Sequence, residues 1–237
     1  KDNILSSLNI FEATKFSNPA GTIVVSTTDK VYKNSGDLNS EDYELGGKDF
    51  YSYSKVAVEE LIEAYKHIQP DLKISVIRSG NVIGGGDSGK NRLIPDIVRS
   101  MENNTILTLR HPDSIRPWLS IFDSLYGYLL LAELTYKKEQ AGTYNLNSKE
   151  NNKLTTKEIV EVFKKNWYKN LEIEISSKYI FSEVDVLKID SEKAKNDLNW
   201  SPKYNIEDCV KLTAKWEREI INDSNYSQKQ IEDYLRL

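Results

Sequence analysis

Apolar positions recur at helical spacing through residues 3–16 (Ile4, Leu5, Leu8, Ile10, Phe11 and Ala13), which predicts a helix. The next run, Thr22-Ile23-Val24-Val25, is short and unbroken, the pattern of a strand buried on both faces of a parallel sheet. Helical spacing returns over 51–68 through Val56, Val58, Leu61, Ile62, Ala64 and Tyr65, and Lys73–Ile77 reads as a second strand. Strand, helix, strand in that order predicts a right-handed crossover unit. Further on the pattern predicts helix 93–103, strands near 106–109 and 117–121, helix 123–138 and strand 142–146. A helix then runs from Thr155 or Thr156 to about Trp167, with Glu158 three residues after Thr155 as a capping-box partner. Strands near 171–175 and 185–189 and helices near 190–198, 205–222 and 227–236 complete the chain.

This order predicts an α/β protein: a partial doubly wound (Rossmann-like) parallel sheet, then a smaller mixed α/β lobe. The expected boundary lies between residues 83 and 84, with short returns of the later chain to the first domain. A length of 237 residues accommodates one large domain or two small ones. The net charge of −4 argues against a nucleic-acid footprint. The single cysteine, Cys209, excludes an intrachain disulfide framework and a cysteine-based zinc site, and reads as a small buried helix residue. No apolar run reaches the roughly 18 residues of a membrane span. The chain opens Lys1-Asp2-Asn3-Ile4 without Met or a signal-peptide pattern, so a cytoplasmic protein continuing upstream of Lys1 is expected.

In a doubly wound sheet, functional groups gather at the carboxyl ends of strands. The first strand is followed by Ser26-Thr27-Thr28-Asp29-Lys30 and the second by Arg78-Ser79-Gly80-Asn81. Tyr51 and Lys55 stand four apart at a helix start and share a face. An ammonium beside a phenol stabilises phenolate, making Tyr51 a usable base toward a substrate hydroxyl. Lys55 can also hold the ribose of a nicotinamide cofactor, and Thr28 can share the substrate hydroxyl's hydrogen bond. Alone, Tyr-x-x-x-Lys is equally an amphipathic helix turn. Asp29-Lys30 offers an acid beside a base, or else a solvated loop. The two line one pocket only if the strand has ended by Thr28, because strand neighbours face opposite ways. Arg78, Arg92, Arg110 and Arg116 suit a diphosphate, although any one of them taken singly is more often a surface charge. Gly84–Gly89 formally matches G-x-G-x-x-G, but it continues a loop through Asp87-Ser88-Gly89-Lys90-Asn91 instead of opening a helix. A mobile substrate loop is expected there. His67 and His111 lack metal-ligand spacing, so no metal is expected.

Leu45-Gly46-Gly47-Lys48-Asp49-Phe50-Tyr51-Ser52-Tyr53-Ser54-Lys55 resembles the active-site helix start of the extended short-chain dehydrogenase/reductases, specifically the nucleotide-sugar 4,6-dehydratases. Arg78–Asp87 followed by Asn91–Asp96, Ile115-Arg116-Pro117-Trp118, Glu183–Asp190, Leu198–Pro202 and Gln230–Tyr234 are similar to segments of the same family, most nearly of its CDP-glucose group. The resemblance covers essentially the whole chain. It implies that 1–83 is the C-terminal half of an NAD domain and that 84–237 mainly binds a nucleotide sugar, CDP-glucose. It implies catalytic roles for Thr28, Asp29, Lys30, Tyr51 and Lys55, with Tyr51 as the base at the C4 hydroxyl, Lys30 as the base at C5 and Asp29 as the acid at the C6 hydroxyl. Ser26, Thr27, Tyr51, Lys55 and Arg78 are implied to contact NAD, and Asn81, Arg92, Leu93, Arg116 and Asn145 the substrate. It further implies a homodimer through helices 3–16 and 51–68, and a place in surface-sugar synthesis. Two departures stand out. Phe50 replaces the proline usual before the tyrosine, for which a local backbone adjustment is expected. The family's glycine-rich NAD fingerprint also does not occur among these 237 residues. A dehydratase or epimerase of another nucleotide sugar, or a non-catalytic nucleotide-sugar-binding chain, remains open.

Overall fold

The apolar run after Gly21 forms strand β1 (Thr22–Ser26), and Lys73–Ser79 forms β2. The computed structural model describes residues 2–33, 38–116, 118–138, 140–148, 154–167, 170–176 and 188–237. It divides into two compact units, the first being Lys1–Gly80, Ser124–Asn147 and Leu187–Ser201, and the second Asn81–Asp123, Ser148–Val186 and Pro202–Leu237.

In the first unit β1, β2 and β6 (Thr143–Leu146) form a parallel three-stranded sheet in the order β1-β2-β6. Alternate residues of β2 point to opposite faces. Ile74 and Val76 join Phe11 of α1 (Asp2–Ser17) and Val58, Ile62 and Tyr65 of α2 (Phe50–Ile68) in one apolar cluster. Ser75, pointing the other way, hydrogen-bonds Thr135 of α4 (Ile121–Lys138) at 2.7 Å. Both faces of β2 are therefore covered, and Ile74–Ser79 are all buried, polar side chains included. The short helix α6 (Glu192–Leu198) returns to β6, where the Tyr144 hydroxyl donates to Asp197 at 3.1 Å.

The second unit pairs β3 (Asn81–Ile83) with β5 (Trp118–Ser120) and β4 (Leu107–Leu109) with β7 (Ile173–Ile175), both in parallel. Its core joins Ile94, Ile97 and Met101 of α3 (Leu93–Asn103), Ile159 and Phe163 of α5 (Thr156–Trp167), and Val210 and Ala214 of α7 (Ile206–Glu219). Thr155 and Glu158 exchange hydrogen bonds in the expected capping box. The final helix, α8 (Tyr226–Leu235), is fixed by the Tyr234 hydroxyl, which donates to buried Asp123 at 2.9 Å. Cys209 is buried, which pushes its thiol up to about 12 and leaves it unreactive. The expected strand at 185–189 falls mainly outside the described residues; within them Ile189 makes a single bridge to Asn39.

Candidate active site

Strand β1 stops at Ser26, and Asp29–Val31 forms a single 3-10 turn. Thr28 caps the turn: its side chain accepts from the Lys30 N–H at 3.3 Å and donates to Asp29 Oδ1 at 3.0 Å. Because pleated strand geometry ends before Thr28, Asp29 and Lys30 are not forced onto opposite faces. Asp29 is also buried, at 3% exposure, so its carboxylate does not belong to a solvated loop, while Lys30 is partly exposed.

The second group comes from the start of α2. Asp49 caps this helix through a capping box with Ser52, placing Phe50 at the first helical position and Tyr51 at the second. The first helical position needs no intrahelical N–H partner, so it tolerates proline without requiring it. Phe50 sits there fully exposed under a regular cap, and the expected backbone adjustment is not needed. Tyr51 is half exposed. One turn on, Lys55 donates to the Ser26 carbonyl at 3.0 Å, and its partial burial lowers its pKa.

Beneath both groups lies a buried polar network. Glu59, one turn beyond Lys55, accepts from Thr27 Oγ1 at 2.7 Å and from Arg78 Nε at 3.1 Å. Arg78 Nη2 also donates to Glu59, while Nη1 donates to the Tyr32 hydroxyl and the Glu41 carbonyl, each at 2.9 Å. All three guanidinium nitrogens are thus engaged, and Arg78 is only 4% exposed. Arg78 is therefore a buried cation held on all sides by the protein. Asn145, fully buried, accepts from the Tyr32 hydroxyl at 2.7 Å and donates to the Asn39 carbonyl at 3.1 Å, so it braces the network. Burial pushes the Tyr32 phenol up to about 12, so it stays neutral and donates to Asn145 while accepting from Arg78.

The second unit carries the remaining residues. Asn81 opens β3 and Leu93 opens α3, both partly buried. Arg92 is exposed and paired with Asp87 at 3.2 Å, while Arg116 is buried. The intervening glycine run, expected as a substrate loop, packs against α7. A Cβ on Gly85 would lie 2.0 Å from the Trp216 indole, Gly86 has φ +84°, and the Gly86 N–H donates to Glu217 at 2.8 Å. Arg99 donates to the carbonyls of Ser88 and Gly89 at 3.2 and 3.0 Å. The run leads through this loop to Arg92 and starts no helix, so it is no dinucleotide fingerprint, as its sequence context indicates. Among the described residues, no His/Cys/Asp/Glu cluster could hold a metal.

The family model described as GDP-mannose 4,6 dehydratase matches residues 1–213. The chain is 30% identical to a CDP-glucose 4,6-dehydratase from Salmonella typhimurium over 98% of its own length and 69% of that protein. It belongs to this family of extended short-chain dehydrogenase/reductases. Two solved structures share the fold. A dTDP-glucose 4,6-dehydratase from Bacillus anthracis in complex with NAD superposes with TM-score 0.76 at 24% identity, covering 94% of this chain and 68% of that one. A UDP-glucose 4-epimerase from Stenotrophomonas maltophila, with bound NAD and formylated UDP-arabinopyranose, gives TM-score 0.80 at 18% identity, covering 93% and 70%. Family membership makes the chain a nucleotide-sugar 4,6-dehydratase or 4-epimerase homologue.

Three residues near the strand-end groups escaped the sequence reading. Glu59 was legible in principle, because Tyr51, Lys55 and Glu59 follow at four-residue steps along one helix face. Tyr32 and Tyr128 were not. Tyr32 acts through Arg78 and Asn145, distant in sequence. Tyr128 arrives on α4, where its hydroxyl bonds the Ser26 side chain and burial raises its pKa.

Proposed function

We propose that this protein is an NAD-dependent CDP-glucose 4,6-dehydratase, a lyase converting CDP-glucose to CDP-4-keto-6-deoxyglucose and water. The observation carrying this reading is the turn at Thr28–Lys30, which sets an acid and an amine directly after a strand-end hydroxyl. A 4-epimerase needs only C4 oxidation and reduction, whereas eliminating water across C5 and C6 needs one further acid and one further base. The 30% identity with the Salmonella enzyme supports CDP-glucose as the substrate.

The donors at the strand end fit a dinucleotide. Lys55, half-buried beside the Ser26 carbonyl, has an ammonium for ribose hydroxyls, and Tyr51 stands one turn before it on an open face. When bound, NAD supplies the hydride acceptor at C4 and the hydride donor at C6. Tyr51, as phenolate, takes the C4 hydroxyl proton, and Lys55 stabilises that phenolate. Thr28 holds the same hydroxyl. Lys30, as the free amine, removes the proton from C5 next to the 4-ketone, and Asp29 protonates the departing C6 hydroxyl. Lys30 then returns its proton to C5. The proton gained by Tyr51 balances the one Asp29 gives up, so the net change is loss of one water. Asn81, Arg92 and Arg116 are proposed to hold the diphosphate, and Leu93 to line the sugar-nucleotide site.

Mass spectrometry of CDP-, dTDP-, GDP- and UDP-glucose incubated with the protein and NAD tests this. Loss of one water from CDP-glucose alone supports the reading. Loss from another sugar instead overturns the substrate but keeps the mechanism. Inversion at C4 without a mass change makes the protein an epimerase, and no change in any sugar leaves a non-catalytic binding chain. Lys30→Ala and Asp29→Asn should slow water loss by roughly 10²–10⁴-fold, with reduced cofactor accumulating. Full rates would remove these residues from their roles.

We also propose a homodimer through α1 and α2. Leu5, Ile10 and Phe16 of α1 and Tyr53 of α2 are exposed although both helices already bury an inner face. Sedimentation should report twice the monomer mass, and Leu5→Glu with Ile10→Glu should shift it to monomer.

A further inference from the structure

Tyr51, Lys55 and Glu59 fall on one face of α2, and the latter two reach the end of β1 at successive residues. Lys55 meets the Ser26 carbonyl at 3.0 Å, and Glu59 meets the Thr27 hydroxyl at 2.7 Å. The next residues are Thr28, Asp29 and Lys30. Thr27 is further held by its N–H, which donates to the Ile77 carbonyl of β2 at 2.8 Å. Arg78, on the same strand, grips the other side of the Glu59 carboxylate. A single buried carboxylate therefore joins the helix bearing the proposed oxidation base, the turn bearing the proposed elimination pair, and the central strand of the sheet. A charge is costly to bury, and this one is matched by an arginine and a hydroxyl. No residue assigned to the chemistry needs Glu59 as a proton donor or acceptor.

We propose that Glu59 is a positioning residue for the reaction, fixing Thr28–Lys30 relative to Tyr51 and Lys55 through Thr27. The proposal rests on the dehydratase reading, and it has one consequence that does not. Transition-state geometry tolerates little displacement, with misplacement of about 1 Å costing on the order of 10²-fold. Glu59→Asp keeps the charge but draws the carboxylate back by one methylene, so it cannot serve Thr27 and Arg78 together. Thr27→Val removes the hydroxyl that reaches Glu59, and with it a longer 3.4 Å contact to the Ile77 carbonyl, but leaves the ion pair intact, which guards against a variant that fails to fold.

Two measurements on the full-length protein decide the matter. In the first, amide hydrogen exchange at residues 28–31 should speed up at least fivefold in both variants, while β2 and β6 stay protected. This holds whatever the substrate. Unchanged exchange in the turn, or an equal rise throughout the sheet, overturns the coupling. In the second, kcat with CDP-glucose should fall at least tenfold while KM stays within twofold and reduced cofactor builds up. Thr27→Ser should restore the rate, and the double variant should be no slower than the slower single one. Wild-type kcat with only a lowered melting temperature would make Glu59 merely structural. A parent protein that dehydrates no sugar would sink the functional reading, and the exchange result would still decide the coupling.

Discussion

The turn after β1 and the glycine loop after β3 are both irregular segments at strand ends, and they are held by opposite means. The first is fixed by buried charge: Glu59 and Arg78, each about 5% exposed, with Thr27 and Tyr32 completing their hydrogen bonds. The second is fixed by shape. Gly85 lies flat against Trp216 with no room for a side chain, and a single N–H from Gly86 reaches Glu217. The difference follows the demand on each segment. A turn that has to align an acid, an amine and a hydroxyl benefits from directional bonds, which specify angle as well as distance. A loop that leads to an exposed arginine needs its backbone path fixed, and close packing on Trp216 supplies most of this, with Glu217 and Arg99 each binding backbone groups of the loop.

The contrast can be broken most forcefully at the ion pair. Arg78→Met leaves Glu59 as an unpaired buried carboxylate and should destabilise the protein by about 3–5 kcal/mol in denaturant unfolding. Glu59→Leu combined with Arg78→Met removes both charges and should cost clearly less than Arg78→Met alone. A double variant as unstable as the single would show that shape, not charge, holds this turn. The glycine loop should respond in the reverse sense. Gly85→Ala adds one methyl and no charge, yet it should cost about 1–3 kcal/mol through overpacking against the indole. Trp216→Ala would create a cavity, and a cycle with Gly85→Ala should be strongly non-additive because the two share one contact. Additive losses would mean that the loop does not rest on Trp216.

The same contrast explains what was legible in the sequence. The helices and most strands could be read because apolar periodicity is local, as over 93–103, and β1 and β2 because their β-branched residues stand between turn-forming segments. Strand β1, expected to be buried on both faces, is only partly buried, at the edge of the three-stranded sheet. The pairing of Tyr51 with Lys55 is also local, as is the change of course at Thr28, where hydroxyls replace the apolar run. The buried partners of Arg78 and Asn145 could not be read, because a strand-end arginine or asparagine looks the same in sequence whether it faces a ligand or an interior carboxylate. Only the folded chain sets Tyr32 against Asn145, 113 positions away. The seating of Gly85 was hidden for the same reason, since Trp216 comes from a distant helix.

The smallest expected effect sharpens the comparison by pH. Glu217, which accepts the Gly86 N–H, has its carboxyl raised above the usual range, chiefly by burial and further by Glu102 and Asp87 nearby. A folded pKa above the unfolded one means that the folded state binds the proton more tightly. Glu217 therefore adds stability as pH falls from neutral through its folded pKa, and the gain is complete below the ordinary carboxylate value of 4.5. Glu158 works the other way. The Thr155 N–H and hydroxyl lower its pKa, so its contribution is lost toward acid, and a whole-protein profile mixes the two. Comparison with Glu217→Gln isolates the loop, because glutamine keeps the acceptor for Gly86 but does not titrate. Melting temperatures from pH 7 to 5 should show the wild type gaining on this variant as pH falls. A constant difference across that range would mean that the carboxyl titrates alike in the folded and unfolded chains, and that the loop, like the packing around Gly85, is indifferent to charge.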